Sequence, residues 1–261
     1  MQKRTVMLAA LFPHSIIFSA ILLRESVIVF LVTASAYFLA RWALRDEFLD
    51  AVAAGWFLLM ASAFHAGVIG LVVGYAFLFM FYRPKAKGFR FTPSTVMVFG
   101  VMVVVALYIY SSFGHVFLAK FQTVEDVTDL YRVASSGRGR TVYLTNLRIN
   151  NFWQLLAYAP LKMLYFLVVP LPHQWRGLND VIAFVMDGCI YGYFLLYILR
   201  NRRNIAKTPV ALGLVVALLA SVFVFGVGVS NAGTALRHRH KIVTVFFVLF
   251  ALVKDVQTKA V

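Results

Sequence analysis

Arginines, histidines and carboxylates that could handle a phosphate stand at the edges of apolar runs in this chain. Arg24 and Glu25 are adjacent between two such runs, Arg237-His238-Arg239-His240 comes just before another, and Arg138, Arg140 and Arg148 lie in the longest hydrophilic stretch. Guanidinium forks give directed, charge-assisted hydrogen bonds to phosphate or carboxylate. Near the low-dielectric edge of a bilayer those contacts are screened less than in bulk water. Such a set suits recognition of a membrane-anchored phosphate or diphosphate carrying a polar head group. The plainer reading is that the same cations meet ordinary phospholipid head groups or neutralise Glu25, Glu125, Asp126 and Asp129.

Other residues could support that chemistry. Glu25 could orient Arg24 or accept a proton, or the two could form a simple boundary pair. On a helix Arg237 and Lys241 share a face while His238 and His240 point elsewhere, so the basic run lines one pocket only if part of it is loop. An interfacial cap is the structural alternative. Asp187 is costly in lipid if ionised and should face protein or water with a partner. It could sense protons or orient an arginine, or serve structure near the head groups. His65 stands at a hairpin apex or inside a bundle, so His65 and Asp187 are structural or coupling candidates. The histidines show no zinc spacing, and neither a Walker sequence nor a dinucleotide fingerprint is present. No metal and no cofactor is expected.

The elements that must carry these residues are helices in a membrane. Apolar residues make up 62% of the 261 positions and charged residues 13%, against about half and about a quarter in a soluble domain. The apolar runs recur along the whole length, which predicts an all-α polytopic bundle: one helical membrane domain, 1–261, with about eight crossings of roughly 20 residues each. The net charge of +15 sits in short connections, where it serves topology and anionic lipid head groups rather than nucleic acid. The single cysteine, Cys189, excludes an intrachain disulfide and a thiolate metal cluster, and reads as an ordinary membrane-buried side chain. A cleavable signal peptide is not expected, since Met1-Gln2-Lys3-Arg4 reads as the basic flank of a retained helix.

Along the chain, an apolar run from about Thr5 to Leu23 is interrupted by Pro13, and a second run covers about Ser26 to Trp42. Ala51 to Tyr82 is too long for one simple span and is read as a hairpin with its apex near Phe64-His65-Ala66; a single long tilted helix is the alternative. Gly67, Gly70 and Gly74 within it suggest close helix contact. Arg83, Lys85, Lys87 and Arg90 form a compact basic loop, and Thr95 to about Leu118 is another span. The stretch at about 120–151 is an outer loop able to carry a binding or catalytic surface. Phe152 to Leu171, interrupted by Pro160 and Lys162 and closed by Pro170 and Pro172, fits a re-entrant or interfacial segment better than a crossing. Spans then follow at Asp180 to Leu199, Val210 to Val229 and Ile242 to Val253.

With a cytoplasmic amino terminus and no crossing at Phe152 to Leu171, the compact basic groups fall inside, as the positive-inside rule requires. The cations left outside are the unusual feature: Arg24, Arg132, Arg138, Arg140, Arg148, Lys162, Arg176, Arg237 and Arg239, with His65, His173, His238 and His240.

Three motifs add a resemblance. Pro13-His14-Ser15 through Ser19-Ala20-Ile21-Leu22-Leu23-Arg24-Glu25, then Phe64-His65-Ala66-Gly67, and Asn231-Ala232-Gly233-Thr234-Ala235-Leu236-Arg237-His238-Arg239 resemble bacterial polytopic proteins of surface-polysaccharide gene clusters. The type is the O-antigen and exopolysaccharide polymerase, whose members are usually larger with more spans, so the resemblance leaves a shortened relative, a fragment or an inactive homologue as readings. The resemblance implies a multi-pass protein of the bacterial cytoplasmic (inner) membrane acting on a polyprenyl-diphosphate-linked oligosaccharide. One unit would be joined to another with release of lipid diphosphate, so the chain would be a membrane glycosyltransferase. It further implies that Arg24, Arg237 and Arg239 hold the diphosphate, and that Glu25 or His238 activates an acceptor hydroxyl. A non-enzymatic transporter or assembly component for a lipid-linked glycan is the alternative. Expected partners are membrane phospholipids and other polysaccharide-assembly membrane proteins, not nucleic acid.

Single cysteines replacing Arg132, Arg176 and Arg237, in a background lacking Cys189, should all react with an impermeant thiol reagent from one side of the membrane. Labelling from opposite sides removes the outer constellation.

Overall fold

The computed structural model describes residues 24–101, 141–144, 147 and 149–259. The expected run from Thr5 to Leu23 and most of the loop at 120–151, with Arg132, Arg138, Arg140 and Arg148, lie outside the described residues. Helix α1 (Arg24–Arg45) and α2 (Phe48–Phe64) form a hairpin, and a 3-10 turn (Ala66–Val68) leads into α3 (Ile69–Phe81). The longest run to Tyr82 is therefore broken at His65 rather than continuous. A two-residue antiparallel ladder, β1 (Tyr82–Arg83) with β2 (Gly88–Phe89), closes the basic loop that the sequence leaves unstructured.

Helix α4 (Phe152–Val168) carries Pro160 without breaking, and a 3-10 turn (Pro172–Gln174) follows. The next helix is continuous from Leu178 to Arg200 but passes through a π segment: α5 (Leu178–Ala183), the π turns at Phe184–Gly188, and α6 (Cys189–Arg200). Helices α7 (Arg202–Lys207), α8 (Pro209–Gly228), α9 (Ala232–His240) and α10 (Val243–Lys259) complete the order. Three helical runs are long and apolar enough to cross a membrane: Arg24–Arg45, Leu178–Arg200 and Pro209–Gly228, of 22, 23 and 20 residues. Twenty residues at a 1.5 Å rise cover about 30 Å, the thickness of a hydrocarbon core. Shorter apolar helices surround them. Phe30, Leu44, Phe48 and Trp56 point outward, each at least 60% exposed, as suits a lipid-facing surface. Cys189 is also exposed on the bundle surface. The fold is thus the all-α fold of a membrane-associated protein with at least three helices of spanning length.

Small residues set how closely the helices approach. Antiparallel α3 and α8 meet through Gly70 against Ser221 and Gly74 against Ala217, where an added Cβ would lie 2.4 Å from the Ser221 backbone and 2.3 Å from Ala217 Cα. Gly213 makes the same accommodation for Leu78. Residues four apart on both helices thus form a small-residue seam that lets dispersion contacts accumulate where no hydrophobic drive exists between helices. The α1–α2 hairpin is tied by Ser35, whose hydroxyl donates to the Ala54 carbonyl at 2.7 Å. Its tight turn uses Asp46 at φ 58°, a left-handed conformation that Asp tolerates better than most residues. Asp46 also reaches Lys85 Nζ at 3.6 Å, and Arg41 Nε lies 3.2 Å from Asp50. The turn and the basic hairpin therefore share one end of the bundle.

Gly74→Ala should lower thermal stability in lipid by about 1–3 kcal/mol, the usual cost of overpacking. Gly177→Ala, where an added Cβ meets nothing within 4 Å, should change it by less than about 0.5 kcal/mol. Equal melting temperatures for the two variants would contradict the seam.

Candidate functional site

Helix interruptions gather near the end of the bundle opposite the basic hairpin, and the polar side chains sit where the helices break. At the first break, His65 ends α2 in an extended conformation, its N–H bonded to the Ala61 carbonyl at 3.1 Å. The Gly67 N–H donates to His65 Nδ1 at 3.1 Å. Gly67 lies directly against the Phe225 ring, where a Cβ would come within 2.1 Å of a ring carbon. Phe225 in turn sits beside both His65 and His238, at ring separations of 5.5 and 5.1 Å, and the two imidazoles meet edge to face at 4.5 Å.

His238 comes from the last turn of α9. Its Nδ1 lies 3.0 Å from Lys241 Nζ, and Lys241, with a fully buried side chain, is 3.9 Å from Glu25 Oε1. Glu25 is buried, next to the first described residue of α1. Glu25, Lys241, His238 and His65 therefore form a contiguous polar row contributed by three separate parts of the chain. Arg24 and Arg237 are exposed beside it, one residue before Glu25 and one before His238. Lys241 lies beyond the end of α9 at His240. The expected shared helical face of Arg237 and Lys241 is thus lost: Arg237 is exposed and Lys241 turns inward.

Arg239 belongs to a second polar cluster. Its side chain is wholly buried and pairs with Asp187, also wholly buried, in the π segment. The same guanidinium donates to the carbonyls of Leu167 and Val169 at the end of α4, the latter at 2.9 Å. Those carbonyls belong to a helix end, which leaves its last acceptors without intrahelical donors. Arg239 also lies over the Tyr191 ring, 5.3 Å from its centroid, while the Tyr191 hydroxyl donates to the Arg239 carbonyl at 2.9 Å. One planar side chain thus joins α4, the π segment, α6 and α9.

The connection between α8 and α9 is closed by residues from the loop side. Lys162 Nζ, buried in α4, donates to Ser230 Oγ at 3.0 Å. The Tyr143 hydroxyl donates to the Val229 carbonyl at 2.9 Å, and the Tyr143 N–H donates to the Ser230 carbonyl at 3.0 Å. Burial pushes the Tyr143 hydroxyl above its ordinary pKa, against the opposing influence of the Arg239 charge, so it stays a donor. Asn231 caps α9 by accepting the Thr234 N–H.

Of the residues expected from the sequence, the structure brings together Glu25, His238 and His65, and separately Asp187 and Arg239. Arg24 and Arg237 are at the surface, and Arg138, Arg140 and Arg148 lie outside the described residues. His173 and Arg176 are exposed, whereas His240 is buried. Lys241, Lys162, Tyr143 and Tyr191 carry contacts that the sequence reading does not assign. The signal available for Lys241 is its place directly after the basic run. Among the described residues, no group of three or more His, Cys, Asp or Glu side chains could hold a metal ion.

Comparison with protein-family models, with curated proteins and with solved structures finds no match to this chain.

Arg239→Lys should destabilise the protein by about 2–4 kcal/mol, because an ammonium cannot reproduce a planar fork spanning one carboxylate and two carbonyls. Thermal unfolding in lipid reads this directly. A wild-type melting temperature would mean that charge alone suffices.

Proposed function

We propose that this chain polymerises or transfers lipid-diphosphate-linked oligosaccharide units at the outer face of a bacterial cytoplasmic membrane. The single observation that carries the reading is the row Glu25, Lys241, His238 and His65 at the helix breaks, with Arg24 and Arg237 exposed beside it. A proton-handling row flanked by guanidinium groups suits attack on a sugar whose leaving group is a diphosphate. The acceptor hydroxyl oxygen bonds to the anomeric carbon and the carbon–oxygen bond to the diphosphate breaks. The hydroxyl proton passes to Glu25 or His238, and the diphosphate departs with both bonding electrons. Arg24 and Arg237 meet the growing negative charge, the kind of stabilisation that supplies the largest share of many rate enhancements. Arg138, Arg140 and Arg148, outside the described residues, are proposed as further contacts to the lipid diphosphate on the strength of the sequence alone. Arg239 is assigned to the scaffold, since its guanidinium is taken up by Asp187 and two carbonyls.

The proposed topology has about eight crossings, a cytoplasmic amino terminus, and the row on the outer side. Phe152 to Leu171 is re-entrant or interfacial there: α4 runs in from that side and the chain turns back after Val168, without crossing. In support, the Val168 carbonyl lies where a Cβ on Gly188 would meet it at 2.6 Å, part-way down the helix that begins at Leu178.

Purified protein in lipid, given a labelled lipid-diphosphate oligosaccharide, should extend the glycan. Arg237→Ala should reduce turnover by about 100-fold, as loss of one charge-stabilising donor does, with an unchanged melting temperature. Binding or translocation without extension would replace the enzyme with a transporter or assembly component. Undiminished turnover in Arg237→Ala would remove the role given to that residue.

A further inference from the structure

At the basic end of the bundle the carboxylates find partners and several cations are left over. Antiparallel α3 and α8 meet at Leu78 and Gly213, about one helical turn from the end of α3 and from the start of α8. The hairpin that follows α3 and the short helix α7 that precedes α8 therefore share one end, opposite the polar row. There Asp46 is met by Lys85, and Glu47 and Asp50 are met by Arg41. Helix α7 turns Ile205 into the core and leaves its cations outside. Lys87, Arg90, Arg200, Arg202, Arg203 and Lys207 are all exposed, and none of them is in an ion pair among the described residues.

Topology asks for cations in a connecting loop, but it does not ask for one at the tip of this turn. Lys87 has φ 49°, and its N–H donates to the Pro84 carbonyl at 3.1 Å. Glycine and asparagine adopt such a left-handed conformation with less strain, so the backbone gives no reason for a lysine there. Aromatic rings fasten the same segment to α3: Phe89 lies 5.4 Å from Phe77, and Phe91 lies 4.9 Å from Phe81. Phe91 is nevertheless 60% exposed, directly after Arg90. Unpaired cations and an open aromatic ring thus stand together on one short segment, and that combination selects the occupant. A phospholipid offers phosphate to the cations and the head-group boundary to the ring. Inorganic phosphate offers only the first.

We propose that the hairpin from Tyr82 to Phe89 is a docking site for anionic phospholipid head groups, with Lys87 as a contact residue and α7 extending the cationic rim. Lys87 and Arg90 meet lipid phosphate, while Phe91 lies at the level where the acyl chains begin. The site is independent of the transfer reaction and of the polar row at the other end.

The test places a fluorophore on Ala86→Cys in a full-length background carrying Cys189→Ser, in phosphatidylcholine bilayers at low ionic strength. Phosphatidylglycerol or phosphatidylcholine bearing a nitroxide high on one acyl chain is titrated in, and quenching reads local enrichment of each lipid. Phosphatidylglycerol should be enriched over phosphatidylcholine. Lys87→Gly should weaken its apparent association by about fivefold, the usual contribution of one cation near a membrane surface, with a melting temperature in phosphatidylcholine that is unchanged or raised. Lys87→Asn should repeat that result, and Lys87→Arg should keep the wild-type enrichment. Arg176→Gln, at the opposite end of the bundle, should leave the quenching unchanged. Absence of phosphatidylglycerol enrichment in the labelled parent overturns the site even if the Lys87 variants fail to fold, and gives the basic end to an acidic partner protein instead. Enrichment undiminished in folded Lys87→Gly, or diminished equally by Arg176→Gln, overturns it as well. Sodium phosphate that displaces the lipid more strongly than sodium chloride of equal ionic strength overturns the choice of lipid over free phosphate.

Discussion

A helix that stops inside a packed bundle leaves carbonyls that water cannot reach, and each must find a donor from the protein. In this fold Arg239 answers that requirement at the end of α4, where it donates to Leu167 and Val169. A cation in that position needs its own partner, and Asp187 supplies it from the π segment. Neither charge is stable there without the other. Removing one partner of a buried pair typically costs about 3–5 kcal/mol because the remaining charge is left uncompensated. The broken helices can therefore coexist only while this contact holds.

Satisfying that constraint shapes what lies next to it. Short α9 must carry Arg239 inward, and the same turn of chain carries His238 and Lys241 toward α1 and the α2 break. Two polar clusters thus emerge from one nine-residue helix. The inner one is closed upon itself by Asp187, Tyr191 and the α4 carbonyls. The other runs from Glu25 to His65, with exposed arginines at its margin. The division separates a group taken up inside the fold from groups at its margin, so neighbouring arginines of one motif, Arg237 and Arg239, have different surroundings.

Much of the architecture was legible in the sequence because apolar length reports helices well. The span at Val210 to Val229 matches α8 to within a residue, and His65 is the break between α2 and α3. The glycine spacing at Gly70 and Gly74 anticipated close helix contact, and the structure identifies the partner as α8. The burial cost of Asp187 announced a partner without naming it, since nothing in linear spacing links positions 187 and 239. Lys241 was hidden for a different reason: helical periodicity assigned it to the face of Arg237, but α9 ends at His240, and Lys241 in the turn beyond it is buried while Arg237 is exposed. The π segment left no mark in composition, and the short β1–β2 ladder lay within a loop read by its charge alone.

Asp187 and Arg239 stabilise the fold as a unit, and a double-mutant cycle measures their coupling most directly. Asp187→Leu, Arg239→Met and the double variant would be unfolded reversibly in lipid alongside the wild type. The expected result is a double variant less destabilised than the sum of the singles by about 2–3 kcal/mol, the upper part of the range for residues in direct contact. Losses that add to within about 0.5 kcal/mol, as they do for independent sites, would contradict it.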